Sequence, residues 1–465
     1  MYDLIVIGAG SGGLTAAEFA AQLGAKVALV EKNRIGGDCT WVGCVPSKAL
    51  LHAGKVVQTA KTAVRYGIET TTAKADMTAV HQSIQQKIAD IHQHETAEVL
   101  EAKGIEVIFG AANFVDSQTI EVNGRFLTAK KFLLTTGARP FVPPIHGLDA
   151  VPFVTYEQIF DNERLPEHLI VLGAGAIGVE LAQAYRRLGA AVTVIDAGLL
   201  PLLPPEAGQV LGQVFATEEI RVVEGLATDV SYNKGLFAVQ VGEQRVTGDM
   251  LLAALGRRPN VAGLGLEQAG VVFDLKSGIE VNDRLQTAVS HIYAAGDCIG
   301  GQQFTHFAGW QAFQAVRNAL LPGSSKGFAA TVPATIFTDP EIAFVGLTEA
   351  EARKQFGDDL VVTKVGMERV DRAVVDEDTT GTIKILHQRS GTLVGALIIA
   401  ARAGEMINEF ALAIKHGLKI GDLAATIHAY PTYGMGVQRL SAKVATADFL
   451  QSTTAKLAQK LAGLG

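Results

Sequence analysis

Cys39 and Cys44 lie five positions apart in GGDCTWVGCVPSKALL, residues 36–51, and only one other cysteine, Cys298, occurs in the 465 residues. A disulfide at this spacing closes a very short loop, so each thiol is at high effective concentration for the other. Three uses are open: a redox pair, a metal site or an inert pair. Zinc requires two further ligands, but the third cysteine is remote and no C-x-x-C occurs. As a redox pair, the disulfide would accept two electrons and hand them on through a thiolate. The helix-like segment after Pro46 would lower a thiol pKa through its N-terminus.

A redox pair needs a source of electrons, and the chain holds two candidate cofactor cradles. An apolar run, Leu4–Ile7, leads into Gly8-Ala9-Gly10-Ser11-Gly12-Gly13 and an Ala-rich helical pattern to about Leu23. A second strand, Lys26–Val30, then ends at Glu31. From Leu169 the layout repeats: strand, Gly173-Ala174-Gly175-Ala176-Ile177-Gly178, helix to Leu188, strand Val192–Ile195, then Asp196. In both copies the acid stands 23 positions after the first glycine. This is an internal repeat of one supersecondary unit. Gly8 and Gly173 make the turn, and Gly10 and Gly175 let backbone approach a pyrophosphate. Gly13 and Gly178 let helix and strand pack closely, while Glu31 and Asp196 face ribose hydroxyls.

Two cradles imply two dinucleotides, one fixed and one exchanging. FAD is expected in the first. Phe132–Ala138 reads as a strand ending in small residues that include Gly137. His291–Asp297 reads as another, whose Asp297 could accept from a ribityl hydroxyl. NADH is expected in the second, because Asp196 would repel a 2′-phosphate and no Lys or Arg lies between Asp196 and Arg221. NADPH is the alternative, should Arg257 or Arg258 of GRRPN fold back towards the cofactor.

These elements belong to an α/β chain with two Rossmann-like dinucleotide-binding domains. Apolar residues make up 48% and charged residues 19%, which suits a globular rather than a disordered chain. Fifty glycines against 6% aromatics fit tight βα turns. A net charge of −7 argues against broad nucleic-acid binding. No long uninterrupted apolar run suggests a membrane span, and MYDLIVIGAG reads as a strand rather than a leader, so a cytoplasmic location is expected. Boundaries are placed near 145, 265 and 330. Residues 75–103 read as one long polar helix, with His81, His92 and His94 on its solvated face. TVPATIFTDPEIAFVGLT reads as strands, and 403–417 as an apolar-faced helix.

GGDCTWVGCVPSK, supported by GAGAIGVE, ALGRRPN, IYAAGDC and FTDPEIAFVGLTEAEA, resembles the FAD-dependent pyridine nucleotide–disulfide oxidoreductases over nearly the whole chain. The family includes dihydrolipoamide dehydrogenase, glutathione reductase and mercuric reductase. The resemblance implies an FAD-binding domain at 1–145 and an NAD(P)-binding domain at 146–265. It further implies a central segment at 266–330 that completes the FAD domain, and a C-terminal α+β dimerisation domain at 331–465. Electrons would pass from NADH through FAD to a Cys39–Cys44 disulfide and on to an acceptor, in a homodimer whose active site is shared between subunits. By motif, Cys39 resembles the interchange thiol, Cys44 the charge-transfer thiol and Lys48 the lysine near flavin N5. Glu180 resembles the carboxylate paired with that lysine. Thr305 and His306 match the segment after the acidic FAD ligand, and Gly256 belongs to the cofactor-side turn of ALGRRPN. Cys298 matches no redox position and is expected to be a small buried residue.

One stretch departs from the disulfide reductases. Where they carry His-Pro-Thr with a Glu three residues after the Thr, this chain reads His428-Ala429-Tyr430-Pro431-Thr432-Tyr433-Gly434-Met435. Tyr430 occupies the base position and Met435 the orienting position, while His428 is expected to be structural. With a reference pKa of about 10, a tyrosine is a poor proton shuttle near neutrality. Losing a general base typically costs about 10²–10⁴-fold. A phenol suits soft-metal chemistry better, and the mercuric reductase branch also has tyrosine here. MERVDRAVVDEDTTGTIKIL and ARAGEMINEFALAI resemble that branch as well, although its N-terminal metal-capture domain and C-terminal cysteine pair are not found in the sequence. The expected acceptor is therefore a metal ion, a quinone or a small disulfide. The alternatives are a dihydrolipoamide dehydrogenase or other disulfide reductase, and a slow flavoprotein redox sensor.

Overall fold

The computed structural model describes residues 1–70 and 73–463. The chain forms two compact units: Met1–Ala197 with Glu218–Ala329, and Gly198–Thr217 with the chain from Ala330 onward.

The first unit is built around the two repeats. Strands β1 (Tyr2–Ile7), β2 (Val27–Glu31), β3 (Ile105–Phe109), β4 (Asn113–Asp116), β5 (Thr119–Val122) and β6 (Arg125–Leu134) form one sheet in the order β3-β2-β1-β6-β5-β4. The strand Ile292–Ala294 also pairs with β6, in parallel. Apolar runs such as LIVI stay buried because parallel strands are covered on both faces. Leu4 pairs with Val27, and Ile5 with Phe132. Between β1 and β2 runs α1 (Ser11–Gln22), which packs on the helix Thr305–Leu320.

After β2 come α2 (Gly37–Trp41), α3 (Cys44–Thr62), α4 (Met77–His92) and α5 (Ala97–Ala102). A single helix over 75–103 is not what forms. The chain turns at 93–96, where the Thr96 hydroxyl caps α5 by accepting from Val99 N–H. His92 is correspondingly not solvated: its ring packs 4.8 Å from the Trp41 ring, and its Nδ1 is buried with no hydrogen-bond partner. His81 is also largely covered and lies 3.4 Å from Glu163, which leaves only His94 exposed as expected.

The second repeat follows β7 (Ala138–Pro140). It comprises β8 (His168–Leu172), α6 (Ala176–Leu188), β9 (Ala191–Asp196) and β10 (Arg221–Glu224), followed by a three-stranded antiparallel sheet of β11 (Asp229–Asn233), β12 (Leu236–Val241) and β13 (Gln244–Gly248). Then comes β14 (Met250–Ala253). The parallel order is β10-β9-β8-β14. The chain returns through β15 (Arg257–Pro259), which pairs antiparallel with β7 in a two-stranded ribbon. Helix α6 packs against α3 through Gly54, where an added Cβ would sit 3.2 Å from the Ala184 carbonyl oxygen.

The second unit centres on a five-stranded antiparallel sheet in the order 334–336, 341–346, 393–400, 382–388, 360–366. Helix Ala403–Lys415 lays Met406, Ile407 and Phe410 into its core. Lys384, on a central strand and buried, pairs with Glu349 at 3.1 Å and with Glu206 of the 198–217 segment. No helix among the described residues is long and apolar enough to cross a membrane.

Candidate active site

The two cradles have matching geometry. In each, the first glycine has φ near +103°, and an added Cβ would meet backbone at once: Thr135 O at 2.4 Å for Gly8, Ala254 O at 2.3 Å for Gly173. At the third glycine a Cβ would lie 1.8 Å from Gly8 O, or 1.9 Å from Gly173 O, so Gly13 and Gly178 are required by the fold itself. The middle glycine differs. A Cβ on Gly10 would meet only Gly37 Cα at 3.8 Å, and one on Gly175 nothing within 4 Å. That backbone faces open space at the start of a helix, as a pyrophosphate cradle demands. Each acidic residue is tied into its own loop. Glu31 Oε2 accepts from Ala9 N–H at 2.7 Å, and Asp196 Oδ2 accepts from Ala174 N–H at 2.6 Å. A carboxylate has roughly four acceptor sites, so ribose hydroxyls can still be met. The residues present fit two dinucleotides.

Gly137 and Gly256 flank the β7–β15 ribbon. Gly137 O accepts from Asn260 N–H at 2.9 Å, and Gly256 O from Phe141 N–H at 2.9 Å. Asp297 follows strand Ile292–Ala294 and is largely buried. Burial pushes its carboxyl up, against the pull of Arg257 Nη1 at 2.9 Å. Neither arginine of GRRPN reaches Asp196. Arg257 is held by Asp297 and Asp38, and Arg258 stacks 3.7 Å over the Phe141 ring. Sequence could not foresee this, because Asp38 and Arg257 are 219 positions apart.

Cys39 lies on α2, and Cys44 is the first residue of α3. Gly43 makes the turn between them, since a Cβ there would sit 2.8 Å from Asp38 O. Both cysteines are free thiols, and Cys44 Sγ lies 3.3 Å from Thr305 Oγ1 at the start of the helix Thr305–Leu320. Cys44 is lowered to about 6. The Cys39 thiol is the main cause, through its hydrogen bond, with the Thr305 hydroxyl and the Lys48 charge assisting against burial. Position one of α3 adds the helix dipole. That same hydrogen bond, then burial, holds Cys39 well above the ordinary thiol range. The reduced pair therefore shares a proton, with thiolate character on Cys44. Lys48 stands four residues after Cys44, on the same helix face, and its Nζ donates to Glu180 Oε2 of α6 at 2.8 Å.

In the second unit Tyr430 is exposed. Arg439 stands 5.9 Å over its ring and grips Asp371 through two bonds of 2.8 and 2.7 Å. Met435 opens the helix Met435–Gln451. Both ring nitrogens of His428 are engaged, Nδ1 with Thr426 O at 3.0 Å and Nε2 with Glu409 at 2.9 Å. Cys298 is wholly buried. Its thiol donates to the Leu134 and Ala295 carbonyls at 3.4 and 3.3 Å and is raised to about 11 by burial.

A fold with paired nucleotide cradles and a close dithiol defines an NAD(P)H-dependent flavoprotein disulfide oxidoreductase. The chain belongs to the pyridine nucleotide-disulphide oxidoreductase family: residues 2–312 match that family and residues 332–440 its dimerisation domain. It is 35% identical over 445 residues to a mercuric reductase of Staphylococcus aureus, covering 94% of this chain and 81% of that protein. It is also 37% identical over 459 residues to a dihydrolipoyl dehydrogenase of Thermus scotoductus, covering 94% and 96%. Among solved structures, the Cu(II) complex of the HOCl-induced flavoprotein disulfide reductase RclA from Escherichia coli superposes with a TM-score of 0.86 at 27% identity. That match covers 95% of this chain and all of that one.

Proposed function

We propose that the protein is an NADH:acceptor oxidoreductase that delivers electrons through Cys39 and Cys44 to a soft metal ion or another small acceptor, and that it works as a homodimer. When bound, FAD supplies the two-electron exchange between nicotinamide and the sulfur pair. Gly8, Gly10, Gly13, Glu31, Gly137, Asp297 and Thr305 would hold it. Gly173, Gly175, Gly178, Asp196 and Gly256 would hold NADH. Two electrons and one proton convert the disulfide to a Cys39 thiol and a Cys44 thiolate. Lys48, braced by Glu180, keeps positive charge beside Cys44, and Cys39 meets the acceptor once it loses its proton.

The observation that carries this reading is the setting of Cys44: first residue of a helix, 3.3 Å from Thr305, with the Lys48–Glu180 pair one turn on. The soft-metal preference rests on Tyr430 and Met435 standing where a His–Glu base would serve a dithiol substrate. Mercuric reductases among the relatives and a Cu(II) complex among the similar structures point the same way. The exposed Tyr430, from the second copy, would orient the acceptor. A dihydrolipoyl dehydrogenase role is the second reading, favoured by the Thermus relative.

Anaerobic NADH titration tests the route. Wild type should develop a long-wavelength thiolate–flavin band that Cys44→Ser lacks, and identical spectra would remove the thiol from the mechanism. An acceptor panel of Hg²⁺, quinones and lipoamide then separates the readings, and lipoamide turnover at the rate of a base-equipped enzyme would favour the second.

A further inference from the structure

Asp38 stands immediately before Cys39, and its side chain is drawn into a closed network. Oδ2 accepts from Arg257 Nη2 at 2.8 Å and from the Tyr156 hydroxyl at 3.2 Å. Arg257 Nη1 reaches Asp297 Oδ2 at 2.9 Å, and its Nε donates to the Tyr156 oxygen at 3.3 Å. The guanidinium lies 5.4 Å over the Tyr156 ring. One cation thus joins two carboxylates from distant segments: the dithiol helix α2 and the turn after strand Ile292–Ala294. Arg257 itself is anchored on β15, by which the chain returns from the second cradle.

Exposed ion pairs contribute little; Arg257 and Asp297 are 21% and 14% exposed and Asp38 is 39% exposed, and the phenol links the members laterally. Forked, charge-assisted bonds of this kind fix geometry as well as energy. The helix they hold needs fixing. Five residues are too few for a helix to sustain itself. On its other side Trp41 Nε1 donates to Ile35 O at 2.7 Å and the indole packs on His92. Arg257 directs one Nη group to the dithiol helix and the other to the Asp297 turn.

We propose that Asp38 and Arg257 are positioning residues for Cys39: the Asp38–Arg257–Asp297 tether sets where the dithiol helix lies relative to Cys44 and links its placement to the Asp297 turn. This rests on the dithiol route proposed above. Asp38→Asn keeps the shape but loses the charged acceptor. Arg257→Lys keeps the charge but cannot fork between two carboxylates.

The experiment uses NADH-reduced holoenzyme of wild type, both single variants and the double variant. Iodoacetamide alkylation rates of Cys39 and Cys44 are resolved by peptide mass mapping, alongside the intensity of the long-wavelength band and FAD content. Each single variant should change the Cys39:Cys44 alkylation ratio by about threefold or more and weaken the band, with FAD retained. The double variant should do no worse than the singles, as expected of two ends of one contact. Should one single variant fail to fold, the other decides. Ratio and band matching wild type in the single variants, or losses that add in the double, overturn the tether. A wild type without the band overturns the dithiol route instead, and the alkylation ratio still judges the tether.

Discussion

Lys48→Met offers a signed test of the electrostatics around Cys44. Lys48 lowers the Cys44 thiol and Glu180 raises it, so the two charges act in opposition. Removing the ammonium deletes the attraction and leaves the Glu180 carboxylate, 6% exposed, acting on the sulfur alone. An opposite charge nearby is typically worth about 1–3 pKa units. Lys48 is 37% exposed and partly screened, which favours the lower part of that range. The Cys44 thiol, lowered to about 6 in the parent protein, should therefore rise by about 1–2 units in the variant. At pH 7 the thiolate fraction would fall from about nine-tenths to between about a half and a tenth, and at pH 9 the variant would recover. The assay is thiolate ultraviolet absorbance against pH in the reduced protein, with iodoacetamide alkylation as a second probe. Glu180→Gln should move the midpoint down, and Lys48→Met with Glu180→Gln should bring it back near the parent value. An unmoved midpoint in Lys48→Met, or an upward shift in Glu180→Gln, would refute this account.

The remaining expectations concern other links. Gly10→Ala should fold normally yet lose FAD, and Gly175→Ala should raise KM for NADH, because a methyl group there meets ligand space. Gly13→Ala should fail to fold, since its methyl group would overlap a carbonyl oxygen; circular dichroism and flavin content separate the cases. Tyr430→His combined with Met435→Glu should raise NADH-linked lipoamide reduction by about 10²-fold or more, and no gain would mean that Tyr430 is not the missing base position. Glu218→Ala removes one carboxylate, 2.6 Å from Arg187, in a pair only 7% and 10% exposed. It should cost about 3–5 kcal/mol in denaturant unfolding, and a loss below about 1 kcal/mol would contradict the buried pair.

Much of the candidate site could be read from residue order because it is local. Cys39 and Cys44 lie on one short stretch, and each candidate cradle is a single strand–turn–helix whose glycines have separate steric duties. The Lys48–Glu180 pair, 132 positions apart, was reached through the family motif and not through spacing. What escaped was decided by distant packing. Polarity alone gives no reason to break the 75–103 helix, but the Thr96 cap does. His92 looks solvated until Trp41 is placed against it. Lys384 sits buried on a central strand between Glu206 and Glu349, neither of which is near it in the chain. The engagement of His428 Nε2 depends on Glu409, 19 positions away on the helix Ala403–Lys415.

The burial of Cys298 has a practical corollary. Of the three sulfhydryls, Cys44 is exposed and Cys39 partly so, whereas Cys298 is wholly buried while the first unit is intact. A colorimetric titre of the fully reduced protein should therefore read two per chain when native and three after denaturation. That step reports the integrity of the parallel sheet without a cofactor, a substrate or a spectroscopic label.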